Sequence, residues 1–173
     1  MSLRIIVTGG TFDKKYDAIR GQLGFKETHL PEIIERVRCG LTIEVETVGL
    51  IDSLDMQAED RQRVLEACRQ AQESMIVITH GTDTMAETAT LLGETLCAGD
   101  SALAGKRIVL TGAMVPYSVS ESDALFNLGS AMTAAQLAPT GVYVAMNGRC
   151  FAWDGLRKNR QTGRFEGQPL TTP

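Results

Sequence analysis

Two short polar segments carry side chains that could do chemistry. Residues 80–84 read His-Gly-Thr-Asp-Thr and follow an apolar, β-branched run at 75–79 that is typical of a strand buried on both faces. Residues 8–11 read Thr-Gly-Gly-Thr and follow a second apolar run at 3–7. Hydroxyls, a carboxylate and an imidazole therefore follow predicted strands, where open parallel α/β sheets bind ligands. The same residue types also cap ordinary turns, so residues 80–84 alone fit a turn as well as a site.

Several other kinds of site are disfavoured by what the sequence lacks. The paired glycines at 9 and 10 would let backbone amides approach a ligand, but neither GxGxxG nor GK[ST] is present, which argues against a nucleotide- or phosphate-binding domain. With two histidines and four scattered cysteines that form no CxxC, we expect no metal site and no cofactor.

Charge and hydropathy narrow the possible partners and the compartment. The net charge is −4 and the pI is about 5.2, which argues against a nucleic-acid or membrane-surface partner. The amino terminus has no signal-like pattern, and no apolar run approaches the roughly 18 residues that a membrane span requires. Unpaired cysteines of this kind are typical of a reduced protein, so we expect a cytoplasmic location.

Strands and helices alternate along the chain, which predicts a parallel sheet with helices on both faces. The predicted strands are residues 3–7, 41–48, 75–79, 107–111 and 141–146. The predicted helices are residues 30–39, 57–74, 84–97 and about 122–137. Thr84 followed by Glu87 reads as a capping box, and Ser120 or Ser122 is the expected cap of the last helix.

The remaining segments are expected to be irregular and to belong to the same domain. Residues 12–28 show no clear period and are predicted to be a long loop, of the kind that often forms a lid. Residues 148–173 are predicted to be a mostly irregular tail with a possible short strand at 150–153. One domain over residues 1–173 is therefore expected, with Thr11, Ser53, Thr82 and residues 114–116 along one edge of its sheet.

Three motifs in order identify a resemblance to a known family. Thr-Gly-Gly-Thr at 8–11, His-Gly-Thr-Asp-Thr at 80–84, and Thr-Gly-Ala-Met-Val-Pro at 111–116 followed by Ser-Asp-Ala-Leu-Phe-Asn-Leu at 122–128 resemble the bacterial-type L-asparaginase/glutaminase family. The resemblance covers nearly the whole chain but only that family's N-terminal domain. It implies an α/β fold, a three-layer, doubly wound, flavodoxin- or Rossmann-like parallel sheet, without the family's C-terminal domain.

The resemblance also implies an activity and a set of site residues. The family hydrolyses the side-chain amide of asparagine, and sometimes glutamine, to the acid and ammonia. By resemblance the catalytic residues are Thr11, Tyr16, Thr82, Asp83 and Lys158. By resemblance the substrate-binding residues are Gly10, Ser53, Gly81, Thr82, Asp83 and Ala113. A homo-oligomer, either a dimer or a tetramer, is expected as well.

The chemistry required for amide hydrolysis fits these residue types. An amide is a poor electrophile, so its hydrolysis needs an activated hydroxyl or water and donors for the developing oxyanion. Attack would come from Thr11, assisted by Tyr16, or from a water activated by Thr82 and Lys158. Backbone amides of residues 10–11 and 81–82 are the expected oxyanion donors. The alternative function is a non-catalytic module that senses asparagine, aspartate or a related acid.

Overall fold

A six-stranded sheet with helices on both faces forms the frame of the molecule, in a computed structural model that describes residues 2–170. The strands are β1 (Ser2–Gly9), β2 (Lys15–Asp17), β3 (Gln22–Gly24), β4 (Thr42–Ile51), β5 (Met75–Thr79), β6 (Arg107–Thr111), β7 (Gly141–Met146), β8 (Arg149–Ala152), β9 (Arg157–Asn159) and β10 (Arg164–Glu166). The helices are α1 (Leu30–Arg36), α2 (Ala58–Gln70), α3 (Met85–Cys97) and α4 (Ala124–Leu137), with a 3-10 turn at Thr11–Asp13.

The strand order in the main sheet is β4-β1-β5-β6-β7-β8. The first five strands are parallel, and β8 adds to the edge antiparallel to β7. Numbered along the chain, the parallel strands follow the order 2-1-3-4-5 of flavodoxin-like sheets. The predicted doubly wound α/β fold is therefore confirmed.

Two hydrophobic clusters lie on opposite faces of this sheet and give the three layers. One cluster packs Val64 and Leu65 of α2 and Leu92 of α3 against the sheet. The other packs Ile33 of α1 and Leu128 of α4 against the opposite face. Because β5 is buried along its whole length, the turn that follows it is held at the centre of the sheet edge.

Two segments expected to be irregular contain short strands instead. Within residues 12–28, β2 and β3 pair as an antiparallel hairpin, so the long-loop prediction is wrong there. Within residues 148–170, β8 confirms the possible strand predicted at 150–153 and joins the main sheet, whereas the pairing of β9 with β10 was not predicted. Residues 171–173 of the predicted tail lie outside the described residues.

The helix caps also differ from expectation. Thr84 is the N-cap of α3 but makes no capping hydrogen bond, because its hydroxyl donates to the carbonyl oxygen of Ser53 at 2.8 Å. The Glu87 carboxylate instead accepts from Arg61, so the predicted capping box is wrong. Asp123, not a serine, is the N-cap of α4. Both corrections arise because tertiary partners compete for these side chains.

Candidate active site

Thr82, Asp83 and Lys158 form one hydrogen-bonded group at the carboxyl end of β5. Lys158 Nζ donates to Thr82 Oγ1 at 2.7 Å and to Asp83 Oδ1 at 3.0 Å, across 76 and 75 residues of sequence. Thr82 is 4% exposed, and the Lys158 side chain is 10% exposed. Lysine side chains are seldom so far removed from solvent, and this one has a hydroxyl and a carboxylate within hydrogen-bond distance of its amine, a geometry in which a proton could be exchanged.

The hairpin that carries Lys158 is anchored on both of its strands. Lys158 on β9 lies opposite Phe165 on β10, and Phe165 is buried in the cluster that includes Leu156. The Glu166 carboxylate accepts from Arg157 at 2.9 Å and from the amide of Asn159 at 2.8 Å. These contacts fix the backbone on either side of the lysine.

His80 supports the turn but is not available as a base. Its ring is fully buried, with Nε2 2.8 Å from Thr88 Oγ1 and Nδ1 2.8 Å from the Gly81 carbonyl oxygen. Burial lowers the pKa of His80 to about 4, outweighing the hydrogen bond to Gly81. The neutral ring therefore donates through Nδ1 to Gly81 and accepts through Nε2 from Thr88, a tautomer assigned from these partners. Its role is to hold the Gly81 carbonyl.

Close backbone contacts bring the turns after four strands together. A Cβ added to Gly10 would lie 2.3 Å from the backbone nitrogen of Gly81, and one added to Gly81 would lie 2.4 Å from Ser53 Oγ. A Cβ added to Gly112 would lie 2.3 Å from the His80 carbonyl oxygen. Gly10 also has a φ of 71°, which L side chains rarely adopt. Glycine at these positions lets the four turns share one small space.

Ser53 supplies a buried hydroxyl with no partner among residues 2–170. Its Oγ is inaccessible and unbonded, and the residue is 1% exposed. Its loop is fixed by the hydrogen bond from Thr84 described above. Buried polar groups in proteins are nearly always hydrogen-bonded, so this hydroxyl lacks an expected partner, although the contact with Gly81 closes it off in this structure.

The other predicted site residues differ in burial and in their position relative to the Thr82–Lys158 group. Thr11 is half-buried at the start of the 3-10 turn, directly after Gly10, and Ala113 is buried directly after Gly112. Tyr16 lies on β2 with 61% of its surface exposed, and no described residue hydrogen-bonds its hydroxyl. The structure therefore does not bring Tyr16 to the Thr82–Lys158 group.

One predicted oxyanion donor is already used. The Gly10 N–H donates to the carbonyl oxygen of Ile51 at 2.9 Å, so Gly10 cannot serve in that role. Within residues 2–170, the N–H groups of Thr11, Gly81 and Thr82 have no acceptor. These three remain candidate donors for a bound carbonyl oxygen.

Sequence reasoning missed the buried amide that fixes the turn after β6. Asn127 on α4 is fully buried, donates to the Gly112 carbonyl oxygen at 3.0 Å and accepts from the Asn147 N–H at 3.0 Å. The Asp123 carboxylate accepts from the N–H of Met114 at 3.0 Å. The sequence offered one indication of this role, a polar residue on the face of a predicted helix that turns toward the core.

A second missed contact joins the first turn to the loop after β4. The amine of Lys14 forms an ion pair with the carboxylate of Asp52, directly beside Ser53. That contact holds the pKa of Asp52 below its usual value, chiefly through the hydrogen bond from Lys14. Two surface-type residues 38 positions apart give no sequence signal for such a pair.

The described residues do not gather three or more metal-ligating side chains at any point, and none of their helices has the length and apolar character of a membrane span. The arrangement combines a hydroxyl, an amine and a carboxylate with three backbone N–H groups that have no acceptor within residues 2–170 and an unbonded serine.

Comparisons with known proteins identify the family of the chain. The family model described as "Asparaginase, N-terminal" matches residues 2–166. The chain is 30% identical to an L-asparaginase of Thermococcus kodakarensis over 100% of this chain and 52% of that protein. It is 32% identical to L-asparaginase 1 of Escherichia coli over 93% of this chain and 47% of that protein.

A solved structure agrees as well. The thermostable L-asparaginase from Thermococcus kodakarensis superposes with a TM-score of 0.80 at 28% identity, covering 96% of this chain and 51% of that one. The chain spans about half the length of the asparaginases that it matches.

Proposed function

The chain belongs to the asparaginase family, whose N-terminal domain it matches over residues 2–166, and from that membership we propose that it is an amidohydrolase. Its substrate is the side-chain amide of asparagine or of a related small carboxamide, and its products are the acid and ammonia. The observation that carries the proposal is the pair of hydrogen bonds from Lys158 to Thr82 and Asp83. A turn that needed only capping would not require a lysine from a distant hairpin.

The base in this proposal is the Thr82–Lys158 pair. A threonine hydroxyl ionises too little at neutral pH to attack or to remove a proton unaided. Lys158 in its neutral form takes the Thr82 proton along the 2.7 Å hydrogen bond, and Asp83 then stabilises the ammonium that results. His80 takes no part, since its neutral ring is committed to Gly81 and Thr88.

The reaction balances with water as the only co-substrate. An oxygen nucleophile adds to the amide carbon and its proton passes through Thr82 to Lys158. The carbon–nitrogen bond then breaks, and ammonia leaves with the proton that Lys158 returns. The nucleophile is Thr11, which gives an acyl-enzyme that water hydrolyses, or water itself, which gives the acid in one displacement.

The substrate is oriented by groups from separate turns. The N–H groups of Thr11 and Thr82, free of other acceptors within residues 2–170, stabilise the developing oxyanion. The unbonded Ser53 hydroxyl binds the substrate carboxylate after a shift of its loop exposes it, while Asp83 has a side chain 36% exposed and accepts its ammonium. Gly10 and Gly81 keep these turns close, and Ala113 forms the adjoining wall.

The test of this function is a screen for ammonia release. Asparagine, glutamine and small carboxamides are offered to the purified chain, and at least one should release ammonia. Thr82→Ala should lower kcat by at least about 100-fold, in the range of general-base catalysis. Thr133→Ala, an exposed threonine on α4, is the matched control and should leave kcat unchanged. Release from no amide would refute the function.

Mass spectrometry separates the two nucleophiles. If Thr11 attacks, rapid quenching with substrate should give an acyl adduct on the peptide that contains Thr11. Thr11→Ala should then abolish turnover. If water attacks, no adduct forms on any threonine. Tyr16→Phe tests whether the exposed hairpin closes over the site, since a residue that stays in solvent should have no effect on kcat.

We also propose a cytoplasmic homo-oligomer, a dimer or a tetramer. All four cysteines are free thiols, as expected in a reducing compartment. Phe126 and Leu137 are exposed apolar side chains of α4, and contacts between protomers commonly cover such side chains. Light scattering on the purified chain measures its mass, and fractionation of the source cells tests the compartment. A monomer at all concentrations would refute the assembly.

A further inference from the structure

A second cavity lies beyond the proposed active site, between the turn after β6, the β7–β8 turn and the β9–β10 hairpin. Its volume is about 560 Å³, within the usual range for small-molecule sites. Its lining residues are Met114, Met146, Asn147, Arg149, Phe151, Thr162, Gly163, Arg164 and Phe165. The Thr82, Asp83 and Lys158 group is not part of this lining, so the cavity needs its own explanation.

The charge of this cavity is positive in a protein whose net charge is −4. Arg149 and Arg164 contribute two guanidinium groups, and no acidic residue lines the cavity. Within residues 2–170 neither guanidinium has an ion-pair or hydrogen-bond partner. The nearby Glu166 carboxylate does not neutralise them, because it is already bound to Arg157 and Asn159.

One of these arginines is held in place before any ligand binds. The Arg149 guanidinium lies 4.8 Å from the centre of the Phe151 ring, a cation–π contact, and Phe151 is 1% exposed. The group is therefore positioned by packing and keeps its hydrogen-bond donors free. Ordinary surface arginines usually either pair with a carboxylate or extend into water.

The remaining wall groups favour an organic ligand over a bare ion. The thioethers of Met114 and Met146 and the rings of Phe151 and Phe165 offer apolar surface, while Asn147 and Thr162 add polar groups. Two planar guanidinium groups suit carboxylate or phosphate oxygens, which they bind through paired donors.

We propose that this cavity binds a small organic anion with two negative charges, a dicarboxylate or a phosphate monoester. Arg149 and Arg164 bind its anionic groups, and the methionines and phenylalanines contact its hydrocarbon or aromatic body. Because Arg164 and Phe165 belong to the strand paired with Lys158, the bound anion stabilises the hairpin that supplies the amine. The binding itself does not depend on the proposed hydrolysis.

Calorimetric titration of the full chain at fixed ionic strength tests the site. The probes are succinate for the dicarboxylate class, phenyl phosphate for the phosphate class, and acetate as a single-charge control. Succinate or phenyl phosphate should bind, and acetate should bind at least about 10-fold more weakly. The stronger of the two dianions identifies the ligand class. No heat of binding with either would overturn the proposal.

Variants locate the bound anion. Arg149→Met and Arg164→Met should each weaken binding by about 10-fold or more, while Arg160→Met, an exposed arginine of the same hairpin outside the lining, should not. Methionine keeps the apolar stem that packs on Phe151, and circular dichroism confirms that each variant is folded. An equal loss in the Arg160 variant would mean nonspecific attraction and would overturn the site.

Thr82→Ala distinguishes this cavity from the proposed active site. Binding of the dianion should persist in that variant even though hydrolysis is lost. If Thr82→Ala abolishes binding while Arg164→Met leaves it intact, the anion occupies the active site and the proposal is wrong. Failure of the hydrolysis proposal would instead appear as missing ammonia release, with anion binding unaffected.

Discussion

The buried imidazole of His80 predicts a specific dependence of stability on pH. The ring is fully buried, and burial lowers its pKa to about 4 from an ordinary value of 6.5. The unfolded chain takes up a proton at this ring as the pH falls through about 6.5, whereas the folded chain does so only near pH 4. Acid therefore stabilises the unfolded state in this window, and the free energy of unfolding falls as the pH falls.

The size of the effect follows from the two pKa values. Proton linkage gives a loss of about 0.2 kcal/mol near pH 7 and about 2 kcal/mol near pH 5. The carboxylates with lowered pKa lose stabilisation mainly nearer their ordinary values, 3.8 for Asp52 and 4.5 for Glu73, so the change between pH 7 and pH 5 comes mainly from His80. With a urea dependence of about 2 kcal/mol per molar, the midpoint should move by about 1 M.

Urea unfolding at several pH values, followed by circular dichroism, measures this shift. His80→Asn is the control, because its amide can still donate to the Gly81 carbonyl but cannot take up a proton. The variant is expected to be less stable at neutral pH, since the bond to Thr88 is lost. Its midpoint should nevertheless change little from pH 7 to pH 5. Equal slopes in the two proteins would refute a buried, neutral His80.

Three further variants test the site and the turns that position it. Lys158→Met should lower kcat for amide hydrolysis by about 100-fold or more, measured as ammonia release, while the exposed Lys15→Met should not. Gly81→Ala should cost about 1–3 kcal/mol of unfolding free energy, since its new Cβ would lie 2.4 Å from a serine oxygen of the loop after β4. Gly40→Ala, with nothing within 4 Å, is the control for that urea measurement and should be neutral or stabilising. Asn127→Ala should cost about 1–3 kcal/mol in the same assay, because the buried Gly112 carbonyl and the part-buried Asn147 N–H lose their partner.

Each of these three predictions would be contradicted by one particular result. Unchanged turnover in the lysine variant would mean that another base acts on Thr82. Equal stability losses in the two glycine variants would mean that helix and turn propensities, not the close approach of the turns, set the cost. A neutral asparagine variant would mean that water replaces its amide.

The parallel core could be predicted because its strands are buried on both faces. Such strands appear as continuous apolar runs, and β5, β6 and β7 have the predicted bounds. The helices α2, α3 and α4 carry apolar residues at helical spacing, so their existence could also be predicted. Their caps were not, because Thr84 and Asp123 bind loops that are distant in sequence.

The short strands escaped prediction for a different reason. β2, β3, β9 and β10 have three residues each, too few for an alternating pattern to be distinguished from chance. The β7–β8 turn did carry a signal. Asn147 and Gly148 have φ values of 53° and 74°, which matches the Asn-Gly hairpin turn that needs two positive φ angles. That dipeptide supports the strand predicted at 150–153, which is β8.

The site residues, like the strands, could be predicted only in part. The resemblance of the chain's motifs to the asparaginase family was enough to predict that Thr82, Asp83 and Lys158 meet. It could not predict the exposure of Tyr16, which depends on how the hairpin packs, or the occupied N–H of Gly10, which depends on its pairing with Ile51. Asn127 was missed because the sequence alone does not show that an amide on a helix is buried.

The amine at the centre of the site lies on a hairpin of two three-residue strands that is separate from the six-stranded sheet. Small peripheral units of this kind open at a lower free energy than the core to which they attach. Heat or denaturant should therefore abolish turnover while the circular dichroism spectrum of the protein is still that of the native state. Amide hydrogen exchange should likewise be faster on β9 and β10 than on β5. Under those conditions, loss of turnover would indicate that the β9–β10 hairpin has opened while the sheet remains folded.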